Sequence, residues 1–318
     1  MQLCRPYIYF GLLLAIAINI CIGAFSRAEI AYDAFFPIAQ LGTGVALVLF
    51  ALNRWWPDHA SRPIVLKPVA ILLESLVLII LLIFAFRVMD HITKIFAPPY
   101  ADEWLARADL ALWIDWQSYF DWIHDRPRLH APLRVAYDQI NLATAAIVGG
   151  FAVIGRLDRV RFFVEAFVIC SAISLAFGMV VPARGSVDYW VLDPAQYPNF
   201  GALPGVYYLQ ALEYVRQVGP VVIGDSGLPG LVTFPSLHTA IGILIVGASW
   251  RSAFAVPAIT YSTLMIAATP IWGGHFFIDV ICGAAMAVAV MFVLSRNAAF
   301  HGLFQSAPRR SGLPAPAE

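Results

Sequence analysis

The segment 273–294 reads GGHFFIDVICGAAMAVAVMFVL, so a histidine and an aspartate stand at the start of a long apolar run. The segment 234–250, FPSLHTAIGILIVGASW, has the same form, with a short polar motif followed by an apolar run. A helix of about 20 apolar residues crosses a bilayer core of about 30 Å. Each motif is therefore predicted to lie at the water-facing mouth of a membrane helix.

The composition of the whole chain agrees with a membrane protein. Of its 318 residues, 60% are hydrophobic and only 13% are charged, and the mean hydropathy is +0.76. A soluble domain of this length needs more charged residues to cover its surface. The formal net charge is zero and there is no basic arm, so a nucleic-acid partner is not predicted. The four cysteines form no CxxC pair, which argues against a disulfide framework or a zinc knuckle.

The apolar runs predict an all-α fold, a polytopic membrane bundle of about eight spans. The spans are placed near 7–25, 35–53, 68–89, 134–154, 163–181, 236–250, 253–272 and 276–294. Residues 1–66 would hold two accessory transmembrane helices, the first of them a retained signal anchor, and 67–296 the catalytic core. The Pro-containing tail, 297–318, is predicted to be disordered.

Basic residues in the loops predict the orientation of the bundle. With eight spans, the Lys and Arg residues that follow spans two, four, six and eight fall on one side, which would be the cytoplasm. The long segments 90–133 and 182–235 then lie on the opposite side, periplasmic, extracellular or lumenal. The first alternates tryptophans with acidic residues and is predicted to be a helix in the membrane interface with its rings toward lipid. The second is rich in Pro and Gly, with a short helix expected near 205–217.

Both motifs are predicted to lie at one membrane level. Spans six and eight run in the same direction, so their N-terminal ends, with His238 and His275, share a face onto which the loop 182–235 opens. Helix N-termini present unpaired N–H groups and the positive end of the helix dipole, which makes them candidate anion sites. Ser236 would add a hydroxyl donor there.

His275 and Asp279 are four residues apart, so on a helix they share a face. A carboxylate in that position can hold the Nδ1–H of the imidazole and leave Nε2 as a nucleophile or base. Ionisable residues inside membrane spans are costly and usually functional. Arg184 follows span five on the same face, and its fork of N–H donors suits phosphate oxygens. At the outer end of span four, Tyr137, Asp138 and Asn141 are candidates to line the pocket.

These motifs resemble those of the type 2 phosphatidic acid phosphatase superfamily. The resemblance covers roughly 130–295 and rests on Pro235-Ser236-x-His238 and His275-x-x-x-Asp279, followed by Gly283. It implies a six-helix lipid-phosphatase-like core, with span three completing it. It also implies that His275 attacks phosphorus, that Asp279 orients His275 and that His238 protonates the leaving oxygen. A phosphohistidine intermediate would form, with no metal and no cofactor.

Two departures from the phosphatase pattern point to one branch of the superfamily. Ala268 and Thr269 stand where Ser-Arg is usual, and no KxxxxxxRP motif is present. The motifs 234–238 and 274–276 and the segment 182–185 are more similar to inositol-phosphorylceramide synthases, which move a phosphoalcohol headgroup between lipids. The resemblance thus implies Arg184, Ser236 and Gly274 as substrate-binding positions.

The sequence leaves the acceptor open, since water would give a lipid phosphatase and a lipid alcohol a headgroup transferase. In both readings the partners are the membrane and a lipid substrate in the bilayer, and the oligomeric state is not predicted. The rival class is a transporter or proton-coupled carrier that uses the His and Asp cluster. A third reading is a metal site formed by His238, His275 and Asp279.

Overall fold

The structure is a computed structural model that describes residues 6–26, 28–31, 36–55, 66–190, 192–224, 228–296, 300 and 303. The predicted disordered tail, 297–318, lies almost wholly outside the described residues. The helices within them are α1 (Pro6–Phe25), α2 (Phe36–Trp55), α3 (Leu66–Lys94), α4 (Asp102–Ala111), α5 (Trp116–His124), α6 (Pro127–Asp138), α7 (Ile140–Val153), α8 (Leu157–Val180), α9 (Ser186–Tyr189), α10 (Leu209–Arg216), α11 (Leu237–Ser249), α12 (Ala255–Trp272) and α13 (Phe277–Ser295).

Several of these helices are membrane spans by length and composition, which makes the chain an integral membrane protein. In the described part of the chain, four are long and apolar enough to cross a membrane: Leu72–Lys94, Leu157–Val180, Ala255–Trp272 and Phe277–Ser295. Shorter apolar helices coincide with the other predicted spans, at Gly11–Cys21, Gly42–Leu52, Ile140–Val153 and Leu237–Ser249. The total of eight spans, and the boundaries of the accessory and core parts, stay predictions.

Helix α11 stands at the centre of the bundle. It packs against α8, α12 and α13, while α3 packs against α7 and α8. The buried apolar cluster between these helices includes Phe162, Phe163, Ala240, Leu244 and Ala248. Small residues on α11, including Ala240 and Ala248, are fully buried, which lets the neighbouring helices approach it closely.

The fourth predicted span, 134–154, is interrupted, and this is a correction to the sequence prediction. Helix α6 ends at Asp138 and α7 begins at Ile140. The carbonyl of Ala136 accepts a hydrogen bond from the Tyr261 hydroxyl at 2.8 Å. This contact joins α12 to the main chain beside the break.

The segment 90–133 was predicted to hold one interfacial helix, but the structure divides it between the end of α3, the helices α4 and α5, and the start of α6. Trp113 ends the α4 turn with a positive φ of 59°, and Asp115 caps α5 by accepting from the N–H groups of Gln117 and Ser118. The predicted orientation of the rings toward lipid does not hold for Trp116, which is 2% exposed, whereas Trp113 is 96% exposed.

The fold also contains a small sheet that the all-α prediction missed. Strand β1 (Ala28–Ile30) pairs in parallel with β2 (Val221–Ile223), and the register joins Ala28 to Val221. Each strand has three residues, too few for a period-two pattern to show in the sequence. The sheet joins the α1–α2 connection to the loop 182–235, so both lie at one end of the bundle. The short helix expected in that loop is confirmed as α10.

Candidate active site

The two motif helices start side by side, as the parallel directions of spans six and eight predict. Ser236 is the N-cap residue of α11, and its hydroxyl accepts from the Thr239 N–H at 3.4 Å. The Ser236 N–H donates to the main-chain carbonyl of Asp279, in the first turn of α13, at 3.0 Å. The polar ends of both spans therefore share one level.

His275 and Asp279 form the pair that their spacing predicts. The Nδ1 atom of His275 lies 3.1 Å from Oδ2 of Asp279, and both side chains are buried. Because an ionised carboxylate oxygen can only accept, this contact favours the tautomer with the hydrogen on Nδ1, which leaves a lone pair on Nε2 of the neutral ring. Asp279 also accepts from the Phe276 N–H at 3.1 Å, which fixes the orientation of the carboxylate.

Both motif histidines line one cavity of about 310 Å³, within the usual range for small-molecule sites. His238 enters it from the first turn of α11, and its ring stacks on Tyr137 with 4.4 Å between centroids. Tyr137, Asp138 and Asn141 also line the cavity, as the sequence predicts. The loop 182–235 contributes Tyr207, Tyr208, Pro229, Gly230, Val232 and Thr233 to the lining.

A cation that sequence reasoning missed also faces this cavity. Arg87, on α3, is the one Lys or Arg among the described residues that line it. The guanidinium donates through one nitrogen to the carbonyl of Leu228 and is partly buried. The sequence held little signal for this residue, since Arg87 stands near the end of an apolar span, far in sequence from both motifs.

The prediction that the N-terminus of the eighth span is an open anion site is wrong. Asp109 accepts from the N–H groups of Phe277 and Ile278, at 2.8 and 2.7 Å, and Asp279 accepts from that of Phe276. These carboxylates satisfy the donors and face the positive end of the helix dipole. Burial, the main cause, raises the pKa of Asp109 above its ordinary value, although the two N–H bonds oppose that shift.

Arg184 lies outside the residues that line the cavity in the described structure. The guanidinium pairs with the carboxylates of Asp188, with 2.5 Å between Nε and Oδ2, and of Glu213. The hydrogen bond to Asp188, more than any other contact, raises the pKa of Arg184. All three guanidinium nitrogens donate to a carboxylate in this geometry, and the phosphate-binding role of Arg184 stays a prediction.

The remaining predicted positions, Ser236 and Gly274, lie beside the cavity without lining it; their predicted contact with substrate stays untested. Gly274 has a φ of +63°, and a Cβ added there would lie 2.4 Å from the carbonyl oxygen of Gly205. A glycine is required at position 274 both for that backbone conformation and for that close approach. Its neighbour Gly273 does line the cavity.

Metal binding gains no support from the arrangement of side chains. Among the residues whose placement is described, no group of three or more His, Cys, Asp or Glu side chains could hold a metal ion. The Nδ1 atom of His275 is engaged by Asp279, so a metal could reach that ring only through Nε2.

The fold and the site define an integral membrane protein with a buried His–Asp pair and a second histidine at the mouths of two adjacent spans. A sequence profile described as that of the PAP2 superfamily matches residues 103–293. The chain therefore belongs to this superfamily, and the membership indicates phosphatase-type chemistry on lipid substrates in the bilayer. A comparison with curated proteins and one with solved structures gave no match.

Proposed function

We propose that this protein cleaves a lipid phosphoester through a phosphohistidine intermediate on His275. The observation that carries the proposal is the geometry of His275, held by Asp279 at Nδ1, in the same cavity as His238. Hydrogen bonding at Nδ1 leaves the Nε2 lone pair as the nucleophile, which is the orienting arrangement of catalytic triads.

Two displacements at phosphorus make up the proposed reaction. The Nε2 atom of His275 attacks phosphorus, the bond from phosphorus to the leaving oxygen breaks, and His238 gives a proton to that oxygen. The acceptor then attacks the phosphohistidine and loses its proton to His238, while the bond from phosphorus to Nε2 breaks. Asp279 stabilises the positive imidazolium that exists between attack and release.

In this proposal Arg87 binds the phosphoryl oxygens. A transferring phosphoryl group is negatively charged, and its transition state is stabilised by nearby cations. Arg87 presents a guanidinium to the cavity, whereas the donors at the start of α13 are taken by Asp109 and Asp279. Within the described residues, one Arg87 nitrogen donates to a protein acceptor, the carbonyl of Leu228, and the proposal assigns the remaining N–H groups to substrate.

The acceptor is proposed to be a lipid alcohol, with water as the second candidate. Support for transfer comes from the sequence alone, in the likeness of 234–238 and 182–185 to inositol-phosphorylceramide synthases and in the missing Lys and Arg motifs of the phosphatases. The site is proposed to face the non-cytoplasmic side. The basic loops support that side, and so does the β1–β2 pairing, which joins the α1–α2 connection to the loop 182–235 at the end of the bundle that carries the site.

The test uses purified protein with a lipid phosphomonoester and then a phosphodiester phospholipid, each with and without diacylglycerol or ceramide. Products are followed by mass spectrometry, with His275→Ala as the control. Free phosphate released from the monoester identifies a phosphatase, and a headgroup transferred to the added alcohol identifies a transferase. If the wild type forms neither product, or His275→Ala retains activity, the proposed chemistry is wrong. Uptake of substrate by proteoliposomes without bond cleavage would then favour a transporter.

A further inference from the structure

The main chain of His275 is hydrogen-bonded to neighbouring side chains, as its own side chain is to Asp279. The carbonyl oxygen of His275 accepts from the indole Nε1–H of Trp116 at 3.1 Å and from the hydroxyl of Ser186 at 3.2 Å. Trp116 is 2% exposed, and its ring stacks on Phe120. Burial and stacking hold the indole so that its Nε1–H, the one donor of the side chain, points at the carbonyl of His275.

The peptide groups that follow are fixed by a second residue of the same region. Asp109, 3% exposed, accepts from the N–H groups of Phe277 and Ile278, one on each carboxylate oxygen. The N–H of Phe276 is held by Asp279. Every peptide group between His275 and Asp279 thus has a defined partner, and three of these partners, Asp109, Trp116 and Ser186, lie outside both motifs.

Asp109 and Trp116 are themselves joined by a short rigid turn. The main-chain carbonyl of Asp109 accepts from the N–H groups of Leu112 and Ile114, each at 3.0 Å. Trp113 takes a left-handed conformation between them, and α5 then begins at Trp116. The side chains on either side of this turn therefore act together on the segment 275–278.

We propose that Asp109 and Trp116 are positioning residues that set where Nε2 of His275 meets phosphorus. The inference rests on the proposed function of His275. Nucleophilic attack needs the reacting atoms about 3–3.5 Å apart, and a misplacement of about 1 Å can cost roughly 10²-fold in rate. Rotation of the peptides at 276–278 would move the imidazole relative to a phosphoryl group held elsewhere in the cavity, without changing the groups that bind that phosphoryl.

This role predicts a specific kinetic signature. Asp109→Asn replaces the carboxylate with one neutral acceptor and one NH2 group, so only one of the two N–H groups keeps an acceptor. Trp116→Phe removes the indole donor but keeps an aromatic ring against Phe120. Both variants should lower kcat by about 10- to 100-fold, with KM within about twofold of wild type. In rapid-quench experiments with a 32P-labelled lipid phosphomonoester, the rate of phosphoenzyme formation should fall by the same factor.

The matched controls come from α4 and from the turn that follows it. Glu103→Gln changes an exposed acid of α4 that pairs with Arg107, and Trp113→Phe changes an exposed tryptophan of the turn. Both should keep wild-type kcat. The midpoint of thermal unfolding in detergent is measured for every variant. Unchanged kcat in Asp109→Asn and Trp116→Phe overturns the proposal. An equally large loss of kcat in the two control variants overturns it as well.

A second readout separates this proposal from the proposed function. In protein labelled with 15N-histidine, the tautomer of His275 is read from its ring nitrogen shifts, with His275→Ala to assign the signal. Wild-type protein should carry the hydrogen on Nδ1, and both positioning variants should weaken that preference, even if no lipid is cleaved. A wild-type protein that cleaves neither lipid refutes the proposed function alone. Ring nitrogen shifts that match wild type in both positioning variants refute the positioning role.

Discussion

The N–H of Ser236 donates to the main-chain carbonyl of Asp279 over 3.0 Å, and this hydrogen bond joins the two motif helices at their polar ends. One turn further along α13, Gly283 lies against the same serine. A Cβ at position 283 would be 2.3 Å from the carbonyl oxygen of Ser236. The two helices can approach closely enough to share one cavity because position 283 has no side chain.

Gly283→Ala should therefore separate the motif helices. Because the atom that a Cβ would meet is main chain, relief requires a shift of a whole helix, and overpacking of this kind costs about 1–3 kcal/mol. We expect a lower midpoint of thermal unfolding together with a fall in kcat. Gly11→Ala in α1 is the control, since a Cβ there meets nothing within 4 Å. A Gly283→Ala protein with wild-type activity and stability would contradict this account.

Arg87 and Arg184 should differ in their effect on substrate binding. Arg87→Ala should raise KM and lower kcat/KM by at least 10-fold, because the cavity loses its cation, and Arg87→Lys should restore part of the loss. Arg184→Ala breaks surface contacts with Asp188 and Glu213 and should leave KM within about twofold of wild type. Both are measured with the same lipid phosphoester over a full range of substrate concentration.

The opposite result would change the assignment of the phosphate site. If Arg184→Ala raises KM while Arg87→Ala does not, Arg184 rather than Arg87 binds the phosphoryl oxygens. The double variant then shows whether the two cations act on one phosphoryl group. Effects that add on a free-energy scale indicate independent roles, and effects that do not add indicate a shared contact.

The sequence predicted the parts of the site that follow from helix geometry and from the alternating direction of the spans. His275 and Asp279 are one helical turn apart, so their pairing follows from helix geometry. The placement of His238 beside them followed from counting spans, which requires only that membrane helices alternate in direction. Tyr137 and Asn141 were predicted as lining residues for the same reason, because they stand at the mouth of a neighbouring span.

The residues that the sequence analysis missed contact the site from positions that are far away in the sequence. Arg87 meets the cavity through the packing of α3, and Asp109 reaches α13 across 168 residues. The donors at a helix N-terminus can be counted in a sequence, but the acceptor that occupies them cannot. Asp109 belonged to a segment interpreted as a lipid-facing interfacial helix, in which its buried position had no separate signal.

The role of His238 predicts a dependence on the leaving group. A general acid contributes typically 10²- to 10⁴-fold when the leaving oxygen is a poor leaving group. His238→Ala should therefore lose about that factor on an alkyl phosphoester but much less on p-nitrophenyl phosphate, whose leaving group departs without a proton. His275→Ala should lose activity on both substrates. Equal losses on the two substrates in His238→Ala would show that His238 does not protonate the leaving group.

Two aspartates of the α4–α5 region should affect stability with opposite dependence on pH. Burial, as the main cause, raises the pKa of Asp102, which accepts from the N–H groups of Arg184 and Gly185. The hydrogen bond from the Ser118 hydroxyl is the main cause that lowers the pKa of the exposed Asp115. A raised pKa means that the folded state binds the proton more tightly than the unfolded state, and a lowered pKa means the reverse.

The sign of each effect follows from this linkage. Asp102 contributes fully to the free energy of unfolding below its unfolded pKa of about 3.9, and this contribution is lost as the pH rises through its folded pKa. Asp115 contributes to the free energy of unfolding above a pH of about 3.9, and its contribution is lost as the pH falls through its lowered folded pKa. The thermal midpoint of wild type minus that of Asp102→Asn should therefore increase from pH 7 toward pH 4. The difference from Asp115→Asn should decrease as the pH falls below about 4. Differences that change in the same direction in both variants would show that the two carboxylates do not have these opposite environments.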